Sequence, residues 1–197
     1  MEFQDVVRRR RMVRNFSDAP LAPDVVERIL ANARRAPSAG FSQGWAFLVL
    51  EGPDETARLW RATFPDERAR AEFRWQGLFA APLVVVPLSH KQAYLDRYAE
   101  PDKGWTDRDE SRWPVPYWDV DTGFAALLML LTAVDAGLGA LFFGIFDVDR
   151  FRDAFGVPDA YTPLGAIAIG RPLADEPSPS LQRGHRAADD VIHRGKW

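Results

Sequence analysis

Apolar and polar positions alternate along the chain in a way that predicts helices and strands in turn. Four apolar residues near the start have helix-like spacing: Val6, Val7, Met12 and Val13. Prolines at 20 and 23 are expected to end this first helical unit. A second helix, with one apolar stripe, is predicted to begin at Asp24 and to stop before Pro37.

The remaining elements follow from the same periodicities. Short apolar runs predict four strands, at Trp45–Leu50, Pro82–Pro87, Leu138–Phe143 and Pro163–Gly170. Helical spacing predicts four further helices, at Asp54–Trp60, Glu67–Leu78, Asp121–Ala136 and Val148–Phe155. Strands and helices interspersed in this way indicate a mixed α/β composition.

The predicted helix Asp121–Ala136 is apolar almost all round, which indicates burial, in part against another subunit. The stretch from Phe124 to Gly144 approaches the roughly 20 apolar residues that a membrane-spanning helix requires. Asp135 lies inside this stretch, however, and Gly137 follows directly. A buried helix that leads into a buried strand explains the pattern, and no membrane association is expected.

Two segments lack a clear core pattern. Residues of about 90–118 form a long insertion rich in tryptophan and tyrosine, which is either a lid or binding loop or a satellite core. Residues of about 171–197 form a C-terminal arm. With no repeat and no linker-like composition, residues 1–197 are expected to form one domain.

Composition excludes several classes of function. The formal charge of −3 argues against nucleic-acid binding. The absence of cysteine removes disulfides and thiolate metal sites, and it is compatible with the cytoplasm. The three histidines lack the spacing of metal ligands, so no metal site is expected. No signal peptide is recognisable at the N-terminus, and a cytoplasmic protein is expected.

Five arginines stand within seven positions at the start of the chain: Arg8, Arg9, Arg10, Arg11 and Arg14. Arginine forks can bind a dianionic phosphate bidentately, so the cluster is a candidate phosphate site. A solvated basic face is the alternative interpretation. No P-loop, G-x-G-x-x-G or G-x-S-x-G motif is present, which argues against a Rossmann cofactor site and a serine nucleophile.

Four loose motifs occur in one order along the chain. They are Arg10-Arg-Met-Val-Arg-Asn-Phe16, Ala36-Pro-Ser-Ala-Gly-Phe-Ser-Gln-Gly-Trp45, Gly137 to Gly144, and Ala168-Ile-Gly170 with a tail that carries Arg183 and ends at Trp197. In this order and spacing the chain resembles the FMN-dependent nitroreductase family over nearly its whole length.

The resemblance implies an α+β sandwich with a central, mainly antiparallel sheet flanked by helices. It implies a homodimer with exchanged C-terminal tails and FMN at the subunit interface. It also implies that NADPH or NADH and a small-molecule acceptor, such as a nitro, quinone or enone compound, react in turn over one flavin face by a ping-pong hydride mechanism.

The resemblance also assigns residues. Arg10 and Arg14 match the pair that holds the FMN phosphate and ribityl chain, and the tail supplies Arg183 or Arg186 to the phosphate. Arg11 matches a main-chain contact. The loop beneath the ring corresponds to Pro37, Ser38 and Ala39, with Gln43 as a possible polar contact. Phe142, Phe143 and Gly144 match the segment that contacts the flavin, with the Gly144 backbone N–H at flavin N5 as the catalytic group.

Two positions depart from the family pattern. Met12 replaces a serine that contacts the cofactor, and Phe41 replaces an asparagine at the pyrimidine edge of the flavin. We expect Phe41 to form an aromatic slot with Trp105, Trp113 and Trp118 of the insertion. Three alternatives remain open: a flavin-consuming enzyme of cobalamin lower-ligand synthesis, a flavin-sequestering protein with little turnover, and an interaction module that docks through the insertion.

Overall fold

A five-stranded antiparallel sheet forms the centre of the fold in the computed structural model, which describes all 197 residues. Its strands are β1 (Trp45–Glu51), β2 (Leu83–Ser89), β3 (Gly139–Phe143), β4 (Thr162–Pro163) and β5 (Ala166–Gly170). The order is β1-β2-β5-β3, and the two-residue β4 pairs with the end of β2. Every pair of strands is antiparallel, which confirms the predicted α+β class with a mainly antiparallel sheet.

Seven α-helices surround the sheet. They are α1 (Phe3–Arg9), α2 (Pro23–Ala33), α3 (Gly52–Thr63), α4 (Glu67–Ala71), α5 (Lys91–Tyr98), α6 (Tyr117–Asp135) and α7 (Val148–Phe155). Short 3-10 helices lie at Ala39–Phe41, Gln76–Ala80, Glu110–Arg112, Pro179–Arg183 and Ala188–Asp190.

The sheet separates two apolar layers. On one face α2 and α6 pack against the sheet through residues such as Ile29 and Met129. On the other face α3 and α7 contribute Leu59 and Phe151. Both faces are covered, so β2 and β5 are buried along their whole length. Each fully buried side chain of this size contributes roughly 1.5–3 kcal/mol, so the sheet is a rigid support for the loops at its ends.

The predicted N-terminal helix is shorter than its apolar spacing suggests. The helix α1 ends at Arg9, and the chain then extends along β3, where the N–H of Val13 donates to the carbonyl oxygen of Ala140 at 3.0 Å. Met12 forms a bridge with the same residue. Pairing with the open edge of β3 satisfies the hydrogen-bonding groups of the backbone as well as a longer helix would, which explains why the helix is shorter than predicted.

The prediction of one helix over Glu67–Leu78 is wrong. The helix α4 ends at Ala71, and a separate 3-10 helix begins at Gln76. Between them, the Phe73 ring packs against both Trp75 and Phe79. The Gln76 amide then donates to carbonyl oxygens of the preceding turn, which replaces the helical hydrogen bonds.

Other boundaries differ by local causes. The helix α3 covers Gly52–Thr63 and is longer than predicted at both ends, and α6 begins at Tyr117, one turn before Asp121. Proline at 116 precedes α6 directly, and Trp118 in its first turn is buried against Tyr94. The predicted strand Pro163–Gly170 is split into β4 and β5 at Gly165, whose φ of 148° breaks the regular pairing.

The insertion forms a folded unit of its own. Its centre is Trp113, whose ring contacts five other aromatic side chains: Tyr94, Tyr98, Trp105, Tyr117 and Trp118. Phe41 is 75% exposed and takes part in no ring contact, so the expected aromatic slot does not form within one protomer. The C-terminal arm beyond Gly170 is largely exposed.

The helix α6 alone is long and apolar enough to cross a membrane by length and composition. Half of its apolar window is buried inside the fold, against the sheet and α2. This is the environment of a core helix, as the acidic and glycine residues around it predict.

Candidate functional site

An aromatic cavity of about 210 Å³ lies beside the end of β3. Its walls come from α3, from the segment after α4, and from the end of β3 and the residues that follow it. The aromatic members are Trp60, Phe64, Phe73, Trp75, Phe142, Phe143 and Phe146. Arg14 is the one charged residue in the lining, and Gly144 lies at the mouth.

The cavity wall is held by ring packing. Trp60 stacks on Phe143 with 5.4 Å between ring centroids and an interplanar angle of 25°. The same indole meets Phe79 edge to face at 5.2 Å. Because these rings lie in the buried layer between α3 and the sheet, the wall is preformed and suits a planar ligand.

Arg14 reaches the cavity from the segment that runs along β3. Its guanidinium carbon lies 4.9 Å from the centroid of the Trp75 ring, and its Nη1 donates to the carbonyl oxygen of Met12 at 3.2 Å. The backbone N–H of Arg14 donates to Asp175 at 2.7 Å. The guanidinium makes no other hydrogen bond, so most of its donors remain available to a ligand.

Two buried indole N–H groups in the lining, those of Trp60 and Trp75, have no hydrogen-bond acceptor. A buried donor without an acceptor costs about 1–3 kcal/mol. Gly144 has open space where a Cβ would stand, so a ligand can approach its backbone closely. The cavity therefore combines an apolar aromatic wall with one cation and an accessible backbone at Gly144, which favours a planar ligand with hydrogen-bond-accepting atoms.

The second predicted part of the site is the loop Ser38–Gln43. Three of its residues have left-handed backbone conformations: Gly40 at φ 61°, Phe41 at φ 57° and Gln43 at φ 49°. This conformation costs roughly 1–2 kcal/mol for a residue other than glycine. Such strain persists where the surroundings impose it, and it is concentrated at functional sites.

Neighbouring elements impose this loop conformation. The Nε of Arg97 in α5 donates to the carbonyl oxygen of Gly40 at 2.9 Å, and a Cβ at Gly40 would lie 2.6 Å from the Tyr98 ring. The buried Asp121 of α6 accepts from the N–H of Ala39 at 2.8 Å. The insertion thus supports the loop through α5.

The loop and the cavity lie at the same end of the sheet but at opposite edges. The loop precedes β1 and Gly144 follows β3, and these are the two outer strands of the order β1-β2-β5-β3. At about 4.8 Å for each strand step, the two edges are roughly 14 Å apart. One protomer therefore does not bring all of the predicted site residues together.

Of the predicted residues, Arg14, Phe142, Phe143 and Gly144 line the cavity. Arg10 is half-buried at the end of α1, and Arg11 is exposed beside a separate surface cleft. Met12 is half-buried and pairs with β3.

The remaining predicted site residues lie outside the cavity, in the loop and on the C-terminal arm. Pro37, Ser38, Ala39, Phe41 and Gln43 belong to the loop region, where the Ser38 hydroxyl accepts from the N–H of Gln43 at 3.0 Å. Arg183 and Arg186 are exposed on the C-terminal arm, and the Arg186 guanidinium donates to the carbonyl oxygen of Asp190. Their predicted roles toward FMN remain predictions.

Several residues of the site have no signal in the sequence motifs, among them Trp60, Trp75 and Asp121. The two tryptophans carry no motif, and Trp75 falls inside a helix predicted wrongly. The apolar pattern predicts Asp121 only as the first residue of a buried helix. Only its place in an otherwise apolar stretch could have indicated a partnered carboxylate.

Comparison with known proteins agrees with this fold. Residues 7–171 match the sequence profile of the Nitroreductase family. A protein of Archaeoglobus fulgidus, named as a candidate NADH dehydrogenase/NAD(P)H nitroreductase, is 25% identical over 193 residues, which is 95% of this chain and 94% of that protein. An NADPH-dependent oxidoreductase of Staphylococcus aureus is 25% identical over 98% of this chain and 73% of its own length.

A solved structure shows the same fold. The candidate nitroreductase of Exiguobacterium sibiricum, crystallised in complex with FMN, superposes with a TM-score of 0.75 at 21% identity over 98% of this chain and 97% of its own. Together with the match over residues 7–171, this establishes that the chain belongs to the nitroreductase family.

Proposed function

We propose that the protein is an FMN-dependent NAD(P)H oxidoreductase that reduces small-molecule acceptors of the nitro, quinone or enone type. The observation that carries the proposal is the aromatic cavity at Phe143–Gly144, with Arg14 as its one charged residue. The names of the relatives, an NAD(P)H nitroreductase and an NADPH-dependent oxidoreductase, support the same class of reaction.

The residues of the cavity fit FMN. The isoalloxazine ring is planar and presents carbonyl oxygens and ring nitrogens, which can accept from the donors of the Arg14 guanidinium that are not used in its bond to Met12. When bound, FMN supplies hydride chemistry: it takes a hydride from NADPH or NADH and passes electrons to the acceptor.

The chain itself contributes binding, orientation and electrostatics. In the proposed site, Arg14 would contact the flavin ring system, and the Gly144 backbone N–H would stabilise the charge that develops at flavin N5. Arg10 binds the phosphate, together with Arg183 or Arg186 of a C-terminal arm. The apolar wall around Phe143 excludes water from the reacting face.

The site is proposed to be shared between two copies of the chain. One protomer holds the cavity and the loop roughly 14 Å apart across three strand steps, so a partner's loop Ser38–Gln43 would cover the cavity. An exposed apolar face supports the same assembly. The helix α1 packs against α6, and large apolar side chains on both are at least 44% exposed: Phe3, Val7, Phe124 and Leu127.

The proposed assembly is a homodimer with exchanged C-terminal arms, in the cytoplasm. Leu127→Arg places a charge in the apolar face, so we expect a monomer by sedimentation that binds FMN weakly. Val115→Arg, an equally exposed apolar position in the insertion, is the matched control and should remain dimeric. A wild-type monomer that retains FMN would contradict the shared site.

One experiment tests the function and separates the alternatives. The purified protein is expected to carry FMN, seen by its absorbance, and to oxidise NADPH or NADH when a quinone or nitro compound is supplied. A flavin-consuming enzyme would destroy FMN under air, which product analysis would detect. A sequestering protein would hold FMN without turnover, and a docking module would purify without flavin.

A further inference from the structure

A buried carboxylate lies behind the loop Ser38–Gln43. Asp121, in the second turn of α6, is 3% exposed. Its Oδ2 accepts two hydrogen bonds, from the backbone N–H of Ala39 at 2.8 Å and from the hydroxyl of Tyr94 at 2.8 Å. Both donors are neutral, and no salt bridge is formed by this carboxylate. A carboxyl group is rarely buried in this way without a specific task.

The bond to Ala39 lies at the start of the strained segment. Ser38 is extended, and the left-handed residues Gly40 and Phe41 follow Ala39 directly. The other contacts from neighbouring elements are made to residues that follow Ala39. The Arg97 side chain donates to the carbonyl oxygen of Gly40, and the N–H of His90 donates to the carbonyl oxygen of Gly44 at 2.9 Å. Asp121 is thus the group that fixes the point where the chain enters the strained conformation.

Tyr94 connects this carboxylate to the rest of the loop. A Cβ at Gly44 would lie 2.4 Å from the Tyr94 ring, so the ring packs directly on the backbone at the end of the loop. Burial raises the pKa of Tyr94, and the hydrogen bond to Asp121 raises it further, so that the hydroxyl remains a donor. One oxygen of Asp121 therefore supports both ends of the loop: it holds the Ala39 N–H at the start directly, and it holds Tyr94, whose ring packs on Gly44 at the end.

We propose that Asp121 is a positioning residue for the flavin-contacting loop: by holding the Ala39 N–H and the Tyr94 hydroxyl on one oxygen, it fixes Ser38–Gln43 in the conformation that meets FMN. The inference rests on the proposed function, since it assigns the loop to FMN. It also gives the insertion a role, because α5 supplies Tyr94 and Arg97.

The test measures the loop and the flavin separately. Amide hydrogen exchange is followed in the peptide that covers Ser38–Gly44, with and without FMN, in wild type, Asp121→Ala, Asp121→Asn and Tyr94→Phe. Asp119→Asn is the matched control, because Asp119 lies in the same helix and binds Ser89 at 2.6 Å without touching the loop. The dissociation constant for FMN and the visible circular dichroism of bound flavin are measured on the same proteins.

In Asp121→Ala the loop amides should exchange roughly tenfold faster and the dissociation constant for FMN should rise roughly tenfold, the effect of losing the hydrogen bond that holds the Ala39 N–H. The circular dichroism of the flavin should change even at saturation. Asp121→Asn retains an acceptor and should recover part of each effect, Tyr94→Phe should be intermediate, and Asp119→Asn should match wild type.

Two results overturn the inference: wild-type loop exchange in folded Asp121→Ala, or faster exchange with wild-type FMN affinity and flavin dichroism. If Asp121→Ala does not fold, the same criteria apply to Asp121→Asn and Tyr94→Phe. A wild-type protein that binds no FMN overturns the proposed function instead, and this outcome is distinguished before any variant is measured.

Discussion

The Arg14 guanidinium carbon lies 4.9 Å from the centroid of the Trp75 ring, and the indole N–H of Trp75 has no acceptor. The Trp75 ring thus holds the Arg14 cation at the wall of the cavity. Arg74 lies 5.4 Å from the same ring, so that two arginines contact one indole. Cation–π contacts of this kind fix ring orientation and contribute about 0.5–2 kcal/mol.

We expect Trp75→Phe to weaken FMN binding without weakening the flavin-free protein. The substitution removes a donor without an acceptor and keeps an aromatic ring beside the two arginines, so the free energy of unfolding should change by less than about 1 kcal/mol, whereas the smaller ring holds Arg14 less firmly at the cavity. Trp113→Phe is the matched control, because Trp113 carries the third unpaired indole N–H and lies outside the cavity. Thermal unfolding and fluorescence titration give the two quantities. Equal FMN affinities for the two variants would remove Trp75 from the flavin site.

Arg10→Ala and Arg183→Ala should each reduce the preference for FMN over riboflavin. Loss of a charge-assisted contact to phosphate is worth about 1.5–3 kcal/mol, which corresponds to an FMN dissociation constant about 10-fold to 150-fold higher. Riboflavin lacks the phosphate, so its affinity should not change. Arg8→Ala, in the same arginine cluster, serves as the control for bulk charge. Parallel loss of both ligands would indicate a structural role for these arginines.

Phe41→Asn should speed reduction of the bound flavin by NADPH or NADH. Asparagine adds the polar contact that the family pattern carries, and it adopts the left-handed conformation of φ 57° more readily than phenylalanine. Stopped-flow reduction without oxygen measures the rate, and Phe41→Leu separates loss of the ring from gain of the amide. A wild-type rate already near 10 per second, with no gain in Phe41→Asn, would show that the position is structural.

The insertion should loosen under acid. Hydrogen bonds from Arg108, Arg97 and Arg112 lower the pKa values of their partners, which are Asp96, Asp102 and Asp107. Because these folded-state values lie below the ordinary value of 3.8, the ion pairs contribute stability above that pH. Their contribution is lost as the pH falls through the lowered values.

Near-ultraviolet circular dichroism of the tryptophan cluster, followed from about pH 6 down to about pH 1.5 so that the lowered pKa values are passed, measures this loosening. The circular dichroism signal of Asp102→Asn should change less with pH than that of wild type, because the substitution removes one titrating carboxyl group. A cluster signal that is constant down to the acid limit would show that ring packing alone holds the insertion.

Local signals determined which elements could be predicted. The helix Val148–Phe155 was predicted with its correct bounds, because Asp147 caps its start through the N–H of Arg150 and Gly156 ends it with a φ of 63°. The segment after Glu67 was not, because its shape depends on Phe16, whose N–H donates to the carbonyl oxygen of Gly77. Contacts between distant parts of the chain have no local pattern.

The same distinction applies to the site. Arg14 and Gly144 followed from motifs in a family order, and both line the cavity. The pairing of Arg14 with Trp75 and of Asp121 with Ala39 brings together residues from separate elements, and no spacing in the sequence indicates either. Composition predicted an aromatic environment in the insertion, but the rings pack on one another.

The placement of the loop and the cavity on the two outer strands has a genetic consequence. In the proposed homodimer each site takes its cavity from one chain and its loop from the other. A chain with a ruined cavity and a chain with a ruined loop each form inactive homodimers, yet a mixed dimer has one site in which both parts are intact. Two inactive alleles expressed together should therefore complement one another, whereas two alleles damaged in the same part should not.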